Sequence, residues 1–165
     1  MFRFFCLWVL LTSSVTFAEL TELESRISEI ARQKKDSAIA LLEEVVNINS
    51  GTMNHAGVKA VGDVFRRELD RLGFTTHWHD MSTVNRSGHL FAENQGSGVC
   101  QLLIGHLDTV FEQNSAFQQF TRLADKATGP GVNDMKGGDV VIIKALETLA
   151  DAGVLDYSRY IVAFT

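Results

Sequence analysis

Cysteine and proline are nearly absent from this 165-residue chain, which holds two of the first and one of the second. Cys6 falls in the apolar stretch at the start, so an exported, processed chain would keep only Cys100 and could not staple itself internally. Such a fold must stand on a hydrophobic core, and 165 residues at 45% hydrophobic content suffice for one. Cys100 opens an apolar run, where a free cysteine is expected to pack rather than react. With Pro130 alone, no repeats and no low-complexity tract, nothing marks a linker or a second domain. Like-charge blocks are lacking too, since 15 basic and 20 acidic residues are interspersed for a net charge of −5. Phosphate binding needs a clustered basic surface, which excludes nucleic acid as a partner.

The first residues differ from the rest. Arg3 precedes the apolar stretch Phe4-Phe5-Cys6-Leu7-Trp8-Val9-Leu10-Leu11, and a small residue stands at Ala18. That order matches a secretory signal peptide over residues 1–18, and implies a secreted or periplasmic protein with no membrane contact after its removal. A membrane anchor would need ~20 largely apolar residues. Thr12, Ser13, Ser14 and Thr16 interrupt this stretch too early.

What remains, residues 19–165, reads as α/β. Residues 22–35 are polar with sparse apolar positions, a surface helix. A second helix is expected to start near the cap Asp36-Ser37, carry Ala38, Leu41, Leu42 and Val45 inward, and stop at the turn formers 47–52. A third places Val58, Val61, Phe65, Leu69 and Leu72 on one stripe, with Gly73 in the left-handed position beyond its end. Residues 74–80 and 88–93 read as strands, and 99–105 as a strand buried on both faces. After a long loop, a helix over 138–152 should turn Ile142, Ala145, Leu146, Leu149 and Ala150 inward. The apolar stretch 159–165 should be a strand, uncovered at its edge. Strand, helix and strand at this spacing make a crossover in a mixed, largely parallel sheet with flanking helices.

Two elements carry chemistry. His106-Leu107-Asp108 directly follows the apolar strand, and open α/β sheets bind ligands at the carboxyl ends of their strands. An imidazole there can meet a metal, and an Asp two residues on can accept its other N–H and fix the tautomer. On the triplet alone, a loop histidine beside a solvated carboxylate is the better explanation. The second element is Gly129-Pro130-Gly131-Val132-Asn133-Asp134-Met135-Lys136-Gly137-Gly138, leading into a helix. Its single carboxylate, Asp134, could bridge two cations or merely cap the helix.

Together and in this order, the two elements resemble the M20 zinc peptidase family, within it the glutamate carboxypeptidase type. The resemblance runs from the helix around Leu41 to Thr165, and marks residues 19–165 as the N-terminal part of a zinc-peptidase catalytic domain. It implies that His106 ligates one zinc, that Asp108 supports catalysis by orienting His106, and that Asp134 bridges two zincs, with a cis peptide at Asp134–Met135. Two Zn2+ per complete site would then serve hydrolysis of a C-terminal amide bond by metal-activated water. The substrate would be a peptide, or an N-acyl amino acid if the chain is a deacylase; aminopeptidase chemistry belongs to the same family.

The departures are as telling. Glu112 stands where a proline is common, and the family's acidic pair, with its general base, follows the strand at which this sequence stops. The general base, a further carboxylate ligand, a distal histidine and the inserted domain are therefore expected to be missing. An inactive fragment or pseudo-enzyme with weak metal binding is the alternative. Elsewhere, His77 and His79 flank Trp78 at strand spacing and read as an exposed edge before a metal pair, while His55 and His89 read as surface residues. Ser50-Gly51-Thr52 lacks the strand-turn-helix setting of a nucleophile. Oligomeric state leaves no trace in the sequence.

Overall fold

A computed structural model describes residues 19–165, so the signal peptide expected over 1–18 lies outside the described residues. Helix α1 (Glu22–Gln33) starts with a reciprocal cap: Thr21 Oγ1 accepts from the Glu24 amide, and Glu24 returns a carboxylate to the Thr21 amide. None of its residues is buried. Lys34 ties this end of the chain to α4 (Lys136–Asp151) through Glu147 at 2.9 Å and Asp151 at 2.5 Å.

Helix α2 (Lys35–Val46) begins earlier than the Asp36-Ser37 cap predicts. Lys34 is itself helical and caps nothing with its side chain, and Ser37 Oγ bonds back to the Lys34 carbonyl instead. Helix α3 (His55–Arg71) turns Val58, Val61, Phe65 and Leu69 inward as the spacing predicts, and Gly73 follows at φ +80°.

The main sheet runs β1 (Thr75–Asp80), β2 (Gly88–Glu93), β6 (Arg159–Phe164), β3 (Cys100–Gly105) in spatial order. Pairing is antiparallel for β1 with β2 and for β2 with β6, and parallel for β3 with β6, which α4 connects. The sheet is mixed as expected but not largely parallel, since two of its three pairings are antiparallel, and the parallel crossover is the β3–α4–β6 unit. One face meets the helices in a core that includes Val45, Val61, Phe65, Leu90, Ile143, Leu146, Val162 and Phe164. The Phe65 and Phe164 rings sit 5.1 Å apart at its centre.

Three more expectations fail on this sheet. Strand 159–165 is not an edge but lies between β2 and β3. The edges are β1 and β3, and β3 is not buried on both faces: Leu102 is 58% exposed and Ile104 60%, because no described helix covers that face. Cys100, at the start of the same edge, is exposed rather than packed. On α4, Leu146 is buried and Ile142, Leu149 and Ala150 pack against the core as expected, whereas Ala145 is exposed and Val140 and Ile143 complete the inward face.

The loop before α4 holds a small hairpin, β4 (Thr121–Leu123) and β5 (Lys126–Thr128), turning through Ala124 at φ +45°. Both strands are largely exposed, so they leave no alternating hydrophobic pattern to read.

Candidate metal centre

The centre forms where the carboxyl end of β3 meets the loop before α4. Leu107 is fully buried and anchors the triplet, with its amide donating to the Thr165 carbonyl at 2.8 Å. Next to it, residues 50–52 and 109 pair like a short parallel strand, with Thr109 N to Ser50 O at 2.8 Å and Thr52 N to Thr109 O at 3.1 Å. That pairing brings Thr52 beside Asp108, and its Oγ1 donates to Asp108 Oδ2 at 2.5 Å.

His106 and Asp134 converge. His106 Nε2 lies 3.0 Å from Asp134 Oδ1, although 28 positions separate the two residues. The other ring nitrogen, Nδ1, lies 3.0 Å from the Asp108 carbonyl oxygen and 3.3 Å from its Oδ1. A carbonyl only accepts, so Nδ1 carries a proton; Nε2 donates to Asp134 when the ring is protonated and turns its lone pair to the same space when the ring is neutral. Asp108 thus orients the ring through its backbone first and its carboxylate second. Burial opposes protonation of His106, yet the bonds to Asp134 and Asp108 and the charges of both outweigh it and hold its pKa above 6.5.

Asp134 does not cap α4. The residue at the cap position is Met135, which makes no side-chain cap bond, and the Asp134 side chain is 84% exposed. The peptide between Asp134 and Met135 is cis. Gly131, at φ +80°, packs so closely that an added Cβ would fall 2.9 Å from the Lys136 side chain and 3.0 Å from that of Thr109.

Directly behind this surface lie two charged residues that the sequence did not single out. Lys136 is fully buried, and its Nζ donates to the Val45 and Ile48 carbonyls, both at 2.8 Å. Asp139 is fully buried as well, and neither of its carboxylate oxygens has a hydrogen-bond partner. It packs so tightly against the strand end that a methyl on Gly105 would fall 1.9 Å from Oδ1. A lysine in a glycine-rich stretch before a helix was the available signal for the first; nothing marked the second.

A cavity of about 360 Å³ opens over the convergent pair, lined by the polar residues Thr52, His106, Asp108, Asn133 and Asp134 and by the apolar Val110, Phe111 and Phe117. An imidazole nitrogen and a carboxylate oxygen facing one open space are the donor types that a divalent zinc accepts. Among the described residues, no cluster of three or more His, Cys, Asp or Glu converges, so the chain supplies two donors here. His77 and His79 stay exposed on β1, with His79 stacked on His89 at 6.4 Å and no carboxylate joining them. Contrary to expectation, His55 and His89 are half-buried, and His55 Nε2 and His89 Nδ1 have no partner.

Residues 102–165 match the model of peptidase family M20/M25/M40. Carboxypeptidase G2 from Pseudomonas sp. (strain RS-16) is 33% identical over 159 residues, which cover 94% of this chain and 38% of that protein. The chain therefore spans about two fifths of the curated relative that it matches. Among solved structures, the di-peptidase Dug1p from Saccharomyces cerevisiae superposes with a TM-score of 0.71 at 17% identity, over 87% of this chain and 34% of its own. Human carnosine dipeptidase 1 gives 0.65 at 20% identity, over 85% and 34%. At these identities the two structures establish the fold.

Proposed function

The chain belongs to peptidase family M20/M25/M40, and from that premise we propose that it furnishes the first two ligands of a metal-dependent exopeptidase centre. His106 Nε2 and Asp134 Oδ1 are the donors, and the 3.0 Å approach between them is the observation that carries the reading. Zinc is the metal that the family resemblance implies, and nitrogen and oxygen donors are compatible with it. When bound, zinc supplies Lewis acidity for cleavage of a terminal amide. The chain's own residues do the rest of the positioning. The Asp108 carbonyl keeps the proton on Nδ1, Thr52 holds the Asp108 carboxylate, and the open Asp134 side chain stays free to reach a second cation. The likeness to carboxypeptidase G2 supports release of a C-terminal residue from a peptide or an N-acyl amino acid. Export by residues 1–18, to a secreted or periplasmic location, completes the proposal; N-terminal sequencing of the mature protein should begin after Ala18.

One finding favours a narrower role for these 165 residues by themselves: with two donors in the described part, zinc binding should be weak and single-site. A zinc titration followed through the His106 ring resonances tests both statements. One weak site that vanishes in His106→Ala and in Asp134→Ala is the expected result. A ring that ignores zinc, or tight binding of two ions in the absence of both residues, would end this reading.

A further inference from the structure

The cavity over His106 and Asp134 has two unlike sets of lining residues, and the apolar set has no part in holding a cation. Val110 is 85% exposed and Phe117 41%, and the Phe111 and Phe117 rings meet edge-on with centroids 5.1 Å apart. The loop bearing them is braced from behind by polar side chains. Asn49 Nδ2 donates to the Phe111 carbonyl at 2.9 Å and to Gln118 Oε1 at 2.7 Å. Gln118 Nε2 donates in turn to the Glu112 carbonyl at 2.8 Å and the Ser115 carbonyl at 2.9 Å. The Met53 amide donates to Glu112 Oε1 at 3.1 Å, closing the brace on the turn after α2. An apolar surface fixed in place before binding loses little freedom on contact with a ligand.

Charge selects what could rest there. No lysine or arginine lines this cavity, whereas Asp108 and Asp134 both do. In the zinc-free chain a carboxylate on the apolar residues would leave water, find no lysine or arginine and face like charge.

Resting on the metal-centre reading above, we propose that Val110, Phe111 and Phe117 form a specificity subsite for an uncharged apolar group of the substrate, an aliphatic or aromatic side chain or acyl chain next to the amide to be cleaved. Asn49 and Gln118 are its positioning residues.

The test uses the 165-residue chain and two small probes, hexanoyl-glycine and succinyl-glycine, followed by the Val110 methyl and Phe117 ring resonances. Hexanoyl-glycine should shift both saturably, and succinyl-glycine should bind about fivefold more weakly or not at all. Phe117→Ala should weaken hexanoyl-glycine about fivefold, while Phe117→Leu, which keeps an apolar surface, should stay within about twofold. Equal response to the two probes, no saturable shift, or unchanged affinity in a folded Phe117→Ala chain would overturn the subsite. Zinc titration of the same samples separates the two claims. A His106 ring that ignores zinc while hexanoyl-glycine still binds removes the metal reading alone. Normal zinc response with no probe preference removes the subsite alone.

Discussion

Two pairs of charged residues lie side by side where the end of β3 meets the start of α4, and they are built in opposite ways. His106 and Asp134 meet in an open cavity, where the Asp134 side chain is mostly in water and each group keeps a face free. Lys136 and Asp139 are wholly buried, the lysine bonded to two carbonyls and the aspartate bonded to nothing. Charge in the open pair is available to a ligand at little cost to the fold. In the buried pair it sets stability, and it does so with both signs: the lysine supports the structure and the aspartate weakens it.

Removal of Lys136 should have the largest effect. Its ammonium meets carbonyls at the C-terminal end of α2, where the helix dipole favours a cation. Lys136→Met would leave the Val45 and Ile48 carbonyls buried without a donor, costing about 3 kcal/mol. A urea midpoint that barely moves would show that water reaches these carbonyls and that the contrast between the pairs is false.

Asp139 should act next, through pH. Burial lifts its carboxyl from 3.8 to about 8. Between those values the folded chain holds a proton that the unfolded chain has lost, so this group's share of stability falls as pH rises from about 4 to about 8. Lys136 is shifted the other way, from 10.5 to about 8, so the pH-dependent part of its contribution rises as pH climbs from about 8 toward 10.5, on top of its two hydrogen bonds. Asp139→Asn has no charge to bury, so its melting temperature should decline less between about pH 5 and 8 and exceed the parent's at pH 8, by about 2 kcal/mol in stability. Identical pH profiles would mean that the carboxylate finds a partner after all.

The open half of this contrast was legible in the sequence and the buried half was not. His106 and Asp134 were legible through the resemblance that their two motifs carry together, at a strand end and in a glycine-rich loop, where α/β folds place ligands; neither motif decides it alone. The helices were readable directly: Val58, Val61, Phe65 and Leu69 repeat at helical spacing on a single face. Burial of a lone charge leaves no such pattern, because Lys136 and Asp139 look like any polar residues opening a helix. Apolar runs mislead where tertiary context decides, and β3 has the composition of a central strand while occupying an edge. Thr52 was invisible as well, since its bond to Asp108 depends on a pairing across 56 positions.

That bond allows a finer cut within the open pair. Thr52→Val removes the hydroxyl that fixes the Asp108 carboxylate without touching His106 or Asp134. Outer residues of this kind change metal affinity by about tenfold or more. Zinc should bind Thr52→Val about tenfold more weakly, in competition with a chromophoric chelator, with little change in unfolding midpoint. Equal affinity would show that the Asp108 carbonyl alone orients the ring.

Asp134→Asn has the smallest expected effect on the fold and the sharpest on the contrast. The side chain caps no helix and is mostly solvated, so above neutral pH its loss should move stability by no more than about 0.5 kcal/mol. In acid a modest cost should emerge. His106 is protonated more easily in the folded chain than its ordinary 6.5, and the contribution from its partner carboxylates is fully present below that value and fades as pH rises through the raised one. The substituted amide keeps an oxygen but gives up the charge, so part of this acid-side contribution goes and the His106 titration shifts downward. Zinc affinity should collapse in the same variant, because a neutral amide is a poor ligand for a divalent cation. A variant that is much less stable at pH 8 yet binds zinc normally would invert the assignment and make Asp134 the structural residue of the two pairs.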